Sequence, residues 1–304
     1  MKPANPAIVL VHGGATASME DVDGCEAAAK GGFKALRTGG DALAAVIAAV
    51  TILEDDGRFN AGAGAELGSD GQTIEMDASV MDSQGKLGAV ACIQRIRHPV
   101  RAASEVAESP HRLLCGEGAE RFARVRGLEA PLPPSAEVLR RRQAAVEEMQ
   151  RDTSDEAAKK RRNVEQSWNY PTSGAYLAGT GCDTVGAVAR DEAGRFAVAA
   201  STGRVAPSLL GRVGDTPLIG AGFYAGPDGA VAITGTGEQI IPLLPAHTVF
   251  RWLADGVPLQ QALQRGLSLL PAGADIGLIA VTHTESGHAS NGPMPTATVS
   301  THDQ

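Results

Sequence analysis

The residue that most constrains this chain is Thr184, because it stands at a seam between two kinds of sequence. Before it lies a long charged stretch; from it onward, Thr184-Val185-Gly186-Ala187-Val188-Ala189 reads as an apolar strand. Ser201-Thr202-Gly203 and Thr234-Gly235-Thr236-Gly237 follow further along. That arrangement predicts a precursor cut before Thr184, so that the threonine becomes a new N-terminus. A threonine hydroxyl is a poor nucleophile without a base in hydrogen-bond reach. A free α-amino group, with a pKa of about 7.7–8.0, is such a base, and an N-terminal threonine carries both in one residue.

The charged stretch sets the domain plan. Pro131-Leu132-Pro133-Pro134 opens it, and it runs to about Gly181. From Arg140 to Arg162 it is more than half charged and mixes both signs. A solvated surface helix followed by a loop would fit, and so would a flexible linker. The flanking Pro, Ser, Gly and Asn residues favour the linker.

On either side the pattern is regular. Ala7 to Val11 is a short apolar run closed by His12-Gly13-Gly14, a strand ending in a glycine turn. Met19 to Leu36 and Ala42 to Leu53 have helical spacing, with Asp41 placed to cap the second helix. Ile74 to Asp82 and Leu87 to Gln94 read as strands, and Pro99 to Val106 and Glu117 to Val125 as helices. After the seam, Thr184 to Arg190 and Phe196 to Ala200 form a hairpin around Asp191-Glu192-Ala193-Gly194. Leu218 to Tyr224, Val231 to Thr234 and Ile276 to Thr282 are further strands; Glu238 to Leu253 and Leu259 to Leu269 are helices. No internal repeat is evident. The order fits an α+β sandwich with two mainly antiparallel sheets between helical layers.

Composition narrows the functional classes. The 304 residues carry a formal charge of -8, which argues against nucleic acid as the main partner. The four cysteines, Cys25, Cys92, Cys115 and Cys182, include no CxxC pair, so a zinc site is not expected. No apolar run is long enough for a membrane span and no signal-peptide core follows Met1, so a cytoplasmic protein with reduced thiols is expected.

Three clusters carry chemistry. Thr184 alone would pass as an ordinary strand residue; its place at the seam makes it a nucleophile candidate, with Asp183 placed to polarise or orient the bond to be cut. Thr202 and Thr234 fit ordinary turn chemistry, but also an active site in which Thr202 orients the nucleophile and Thr234 with the Gly235 N–H forms an oxyanion hole. In Gly211-Arg212-Val213-Gly214-Asp215, a guanidinium suited to a carboxylate lies near a carboxylate suited to an ammonium. The pair fits a zwitterionic amino-acid head group, or equally a surface ion pair.

These motifs resemble the plant-type L-asparaginases, also called isoaspartyl peptidases, of the N-terminal nucleophile hydrolases. The resemblance covers most of the chain. It is carried by Val11-His12-Gly13-Gly14, by residues 53–64, by Glu75-Met76-Asp77-Ala78-Ser79-Val80-Met81-Asp82, and by the motifs around Thr184, Thr202, Arg212 and Thr234-Gly235-Thr236-Gly237-Glu238. It implies a single four-layer αββα sandwich and autoproteolysis between Asp183 and Thr184. It further implies an (αβ)₂ assembly of a 1–183 chain, ending in the linker of about 131–181, and a 184–304 chain. The implied reaction is hydrolysis of L-asparagine and β-aspartyl dipeptides to release L-aspartate, with no catalytic cofactor. Thr184 is then the nucleophile, Thr202 its partner, and Thr234 and Gly235 the oxyanion donors. Arg212 takes the α-carboxylate, Asp215 and Gly237 the α-ammonium, and Asn60 supports the nucleophile. The loop from Leu53 to Ala63 resembles a sodium-binding loop, implying a structural ion on the backbone carbonyls of Leu53, Glu54, Asp56, Phe59, Ala61 and Ala63.

The chain also departs from the family pattern. Arg204 stands where a second glycine usually follows Ser-Thr-Gly, so a long cation is expected beside the substrate, with backbone strain if the site requires a positive φ. Asp183 replaces the usual glycine and is similar to glycosylasparaginases and taspases. The tail around Ala289 to Pro295 matches the family's last strands only weakly. Two rival readings follow: a glycosylasparaginase-like hydrolase, and an uncleaved, inactive homologue that serves as a binding protein.

Overall fold

The computed structural model describes residues 6–130, 132–151, 154–155, 158–159, 162, 166–171, 184–205 and 208–303. Eleven named strands in these residues form two sheets. The larger has the order β11-β1-β5-β6-β2-β3-β4, with β1 Ile8–His12, β2 Met76–Asp82, β3 Leu87–Ile93, β4 Leu113–Cys115, β5 Thr184–Arg190, β6 Phe196–Thr202 and β11 Thr296–Ser300. The smaller has the order β10-β9-β8-β7, with β7 Phe223–Gly226, β8 Gly229–Gly235, β9 Ile276–Thr282 and β10 Ser286–Ser290. Every pairing is antiparallel except β3 with β4.

Three apolar cores explain why the strands stack as they do. Leu10, Val188, Phe196 and Val198 of the larger sheet meet Phe223, Ala232, Ile279 and Val281 of the smaller. The other face of the larger sheet, with Val9, Val11, Val185 and Ala187, packs on helices α1 Val22–Arg37, α2 Ala42–Asp56 and α3 Pro99–Ala107. The other face of the smaller sheet, with Val231, Ile233 and Leu278, packs on the helices that lie between β8 and β9 in the chain. β5 and β6 are therefore buried on both faces, and their sequences run apolar without strict alternation. The α2 helix begins where Asp41 accepts the Ala44 N–H at 2.9 Å and ends at Gly57, whose φ of +81° suits only glycine at low cost.

Four sequence expectations need correction. The expected strand from Leu218 to Tyr224 begins only at Phe223; residues 218–222 turn, with Leu218 N–H on Asp215 O and Ala221 N–H on Leu218 O. The expected helix from Glu238 to Leu253 is broken. A short helix α6 Gly237–Ile240 and a 3₁₀ turn precede α7 Pro245–Ala254, with Leu244 at φ +48° between them. Pro242 and Pro245 lack the N–H a continuous helix needs, and Pro245 disfavours helical backbone at Leu244. α8 Leu259–Leu267 follows as expected. In the tail, β10 extends the smaller sheet and β11 the larger, where Thr296 to Ser300 pair with β1.

The fourth correction concerns the expected linker, which contains a helix, α5 Ala136–Arg151, preceded by α4 Gly116–Val125. Val138 and Ala145 of α5 are buried. Arg141 donates to Glu66 at 2.7 Å and to the carbonyls of Arg58 at 2.8 Å and Gly64 at 2.9 Å. The charge density that suggested a linker belongs in part to side chains that hold this helix to the loop after α2. Residues 172–183, including the expected cleavage site and Asp183, lie outside the described residues.

Candidate active site

Strand register builds the centre of the site. Thr184 opens β5 and lies opposite Thr202 at the end of β6; Thr202 lies opposite Asp77 on β2. The three residues form a row across neighbouring strands, and all are buried. From the smaller sheet, the Thr234 Oγ1 accepts the Thr184 backbone N–H at 3.3 Å and the Ala15 N–H at 3.2 Å. With its lone pairs engaged by two N–H groups, that hydroxyl has its proton to donate. Gly235 follows at φ +145°, and a Cβ there would run into the Asp275 carbonyl. Only glycine fits this close approach.

Two neighbours of Thr184 were not singled out by the sequence. Thr216 Oγ1 lies 3.5 Å from Thr184 Oγ1; its one signal was its place directly after Asp215. His12 ends β1 opposite Gly186, where a Cβ would strike its Nε2. Among the described residues neither His12 ring nitrogen has a hydrogen-bond partner. Burial pushes its pKa down to about 3, so the ring is neutral.

Asn60 supports the turn behind Thr202. Its Nδ2 donates to Arg204 O at 3.0 Å, its Oδ1 accepts the Glu66 N–H at 3.0 Å, and its carbonyl accepts the Gly203 N–H at 2.8 Å.

Arg212, Asp215 and Gly237 converge. A Cβ on Gly237 would lie 2.8 Å from an Arg212 nitrogen and 3.0 Å from Asp215 Oδ1, so the absence of a side chain lets both groups approach the backbone here. Asp215 is buried, and its Oδ2 has no partner among the described residues. Burial raises its pKa to about 7 against the pull of Arg212. Arg212 donates to both oxygens of Glu238 at 2.8 Å; burial lowers its pKa, but Glu238, Asp215 and Asp77 together outweigh that and the net shift is upward. Asp77 joins this turn to the row that holds Thr184: Oδ2 accepts the Gly214 N–H at 3.1 Å and Oδ1 the Cys92 N–H at 2.7 Å.

Arg204 departs from expectation. Its side chain is 2% exposed and turns inward, touching Glu75, Leu209 O and Ser208. Burial and the nearby Arg212 lower its pKa to about 10, which leaves it charged at neutral pH. Its φ is not positive, so the anticipated backbone strain is absent at this residue.

The loop after α2 curls tightly. Gly62 and Gly64 sit where a Cβ would run into the Glu54 and Phe59 carbonyls respectively. Hydrogen bonds from Ala61 N–H to Phe59 O at 2.8 Å and from Gly64 N–H to Ala61 O at 3.0 Å fix the curl. Closely gathered carbonyl oxygens suit a hard monovalent cation. Among the described residues no group of three or more His, Cys, Asp or Glu side chains is placed to hold a metal ion, and no helix is long and apolar enough to cross a membrane.

The residues gathered around Thr184, at the head of a buried strand, make a candidate site, and comparison with known proteins gives the family. Residues 5–300 match the family model described as asparaginase, and the chain belongs to that family. It is 40% identical over 296 residues to the isoaspartyl peptidase of Salmonella typhimurium, covering 92% of this chain and 90% of that protein. It is 39% identical over 293 residues to the isoaspartyl peptidase of Escherichia coli, covering 91% and 87%. It is 37% identical over 272 residues to the isoaspartyl peptidase/L-asparaginase of Mus musculus, covering 86% and 77%.

Proposed function

We propose that the protein is an autoprocessing amidohydrolase that cleaves β-aspartyl peptides and L-asparagine, releasing L-aspartate. The observation that carries this reading is Thr184 at the head of a buried strand, with Thr202 opposite it and the Thr234 hydroxyl on its backbone nitrogen. The family membership and the names of the relatives support the choice of substrate.

In processing, the Thr184 hydroxyl attacks the Asp183 carbonyl, the C–N bond breaks, and an ester forms on Oγ1. Water hydrolyses the ester and leaves chains 1–183 and 184–304, the second with a free α-amine. In turnover that amine takes the hydroxyl proton as Oγ1 attacks the substrate β-carbonyl. The Thr234 hydroxyl and the Gly235 N–H receive the oxyanion, where one donor is worth roughly 10²–10³ in turnover. The proton passes to the departing ammonia or amine, and water then releases aspartate from the ester. Arg212 holds the α-carboxylate, and Asp215 and Gly237 the α-ammonium, whose positive charge favours the ionised form of Asp215.

The three apolar cores support a four-layer αββα sandwich. The curled loop fits a structural sodium ion on the carbonyls of Leu53, Glu54, Asp56, Phe59, Ala61 and Ala63; bound there, it would neutralise gathered carbonyl dipoles and fix Asn60. Cytoplasmic location and an (αβ)₂ assembly complete the reading. The test is intact mass of purified protein together with hydrolysis of asparagine, β-Asp-Leu and a glycosylated asparagine. Two fragments meeting at the Asp183–Thr184 bond and aspartate from the first two substrates are expected. A full-length species that still turns over substrate would sink the mechanism, and preference for the glycosylated substrate would favour the rival hydrolase.

A further inference from the structure

Thr216 carries a buried hydroxyl that the proposed mechanism does not use. The residue is wholly covered, and its Oγ1 lies 3.5 Å from Thr184 Oγ1, the atom that would attack. A buried hydroxyl needs a partner, and the partner found for this one among the described residues is that oxygen. The backbone around Thr216 is fixed from both sheets. Asp77 and Ser79 stand two apart on β2 and so share one face. Asp77 Oδ2 accepts the Gly214 N–H at 3.1 Å, and the buried Ser79 Oγ donates to the Thr216 carbonyl at 2.7 Å. From β8, the Ile233 N–H donates to Gly222 O at 2.8 Å, one residue before Thr234. The turn also closes on itself. Asp215 O accepts the Leu218 N–H at 2.9 Å, and a Cβ on Gly222 would lie 2.6 Å from that carbonyl oxygen and 3.0 Å from Thr216 Cα. Pro217 restricts the Thr216 backbone further. None of these bonds uses the Thr216 hydroxyl, which is left to meet Thr184.

We propose that Thr216 is a catalytic residue whose hydroxyl fixes the direction of the Thr184 Oγ1, and that Ser79 is the positioning residue that sets it there. The assignment rests on the proposed function. Thr202 flanks Thr184 along the sheet, whereas Thr216 reaches it from the turn. A hydrogen bond to Oγ1 removes rotational freedom from the attacking atom. Thr216 keeps its own proton throughout; the base takes the proton of Thr184. Before cleavage the Thr184 nitrogen is an amide that donates to Thr234 Oγ1 and cannot be that base. Processing therefore leans on Thr216 more than turnover does, because in turnover the free amine is a second partner of the hydroxyl. Thr216 directly follows Asp215, so the turn that would hold the substrate ammonium also aims the nucleophile.

The experiment compares the full-length chain with Thr216→Val, Thr216→Ala, Thr216→Ser and Ser79→Ala. Mass spectrometry follows processing, and asparagine hydrolysis is counted per mole of processed chain. Thr216→Val keeps the shape and removes the hydroxyl. It should slow processing and lower kcat by roughly 2- to 12-fold, the loss of one ordinary hydrogen bond, with KM unchanged. Thr216→Ala should match it, which excludes misfit of the added methyl, and Thr216→Ser should restore both rates. Ser79→Ala should lower kcat in the same way but by less. Wild-type rates in both Thr216→Val and Thr216→Ala, an equal loss in Thr216→Ser, or a raised KM at unchanged kcat would each overturn the role of Thr216. An unchanged kcat in Ser79→Ala would overturn that of Ser79. These outcomes leave the amidohydrolase reading standing; a wild type that neither cleaves itself nor hydrolyses asparagine removes both.

Discussion

Thr184 and Thr202 are held by adjacent strands of one sheet, whereas Arg212 is held by a turn that borrows its contacts from Asp77, Glu75, Ser69, Asn169 and Tyr170. The strand ladder positions Thr184 through backbone bonds that survive most side-chain changes. The turn depends on particular side chains, two of them from the segment that precedes the expected cut. Chemistry should therefore be lost only by touching the row itself, slowed by removing the Thr216 hydroxyl, and binding lost by touching any of several distant supports.

The largest expected effect tests the row. Thr184→Ala should abolish both processing and hydrolysis, a loss in turnover of more than about 10³-fold, because one hydroxyl serves both steps. Thr184→Ser should retain part of each. Mass spectrometry and aspartate release measure the two separately; cleavage of the alanine variant at that bond would remove the intramolecular attack.

The next tests the turn. Glu75→Ala leaves the buried Arg204 without its carboxylate and Gly211 without its acceptor. Breaking a buried ion pair from one side costs roughly 3–5 kcal/mol, visible as a lower urea midpoint. Removing Arg204 as well should recover part of that loss, since the double variant buries no unpaired charge. Additive losses would mean that the two side chains do not support the turn as a pair.

The same contrast explains what was legible in the sequence. Residues borne on strands and their glycine ends, such as Thr184, Thr202, Thr234 and Gly235, stood out because strand pattern and local motif coincide there. The two sheets and most helices were readable for the same reason. What was missed depends on partners far along the chain. Nothing near Arg204 in sequence signals that Glu75 draws it inward, and nothing near Asn169 signals its pairing with Leu210. The α5 helix was obscured because its charges bond to distant carbonyls, a use of arginine that composition cannot separate from solvation. The split of the expected helix after Gly237 was signalled by Pro242 and Pro245, and the apolar periodicity outweighed that signal.

A third test separates binding from chemistry. Arg212→Ala should raise KM for β-aspartyl substrates by about 10- to 150-fold, the range for a lost charge-assisted hydrogen bond. Self-cleavage should change far less, because the precursor presents no free α-carboxylate to Arg212. Mass-resolved processing rates beside KM values make the comparison. Equal damage to both would assign Arg212 to folding instead of to the substrate.

The smallest effect concerns Glu238, whose side chain is 65% exposed while its two oxygens occupy Nε and Nη2 of Arg212. A substrate α-carboxylate seeking the same guanidinium competes with it. An exposed ion pair contributes only about 0.2–1 kcal/mol, so displacement is cheap but measurable. Glu238→Gln keeps the size and removes the charge, and should lower KM for asparagine by about 1.5- to 5-fold with kcat unchanged. The gain should shrink as salt rises, because screening already weakens the wild-type pair. A higher KM in the glutamine variant would reverse the assignment: Glu238 would then orient Arg212 for the substrate, and the turn would have one more support instead of a competitor.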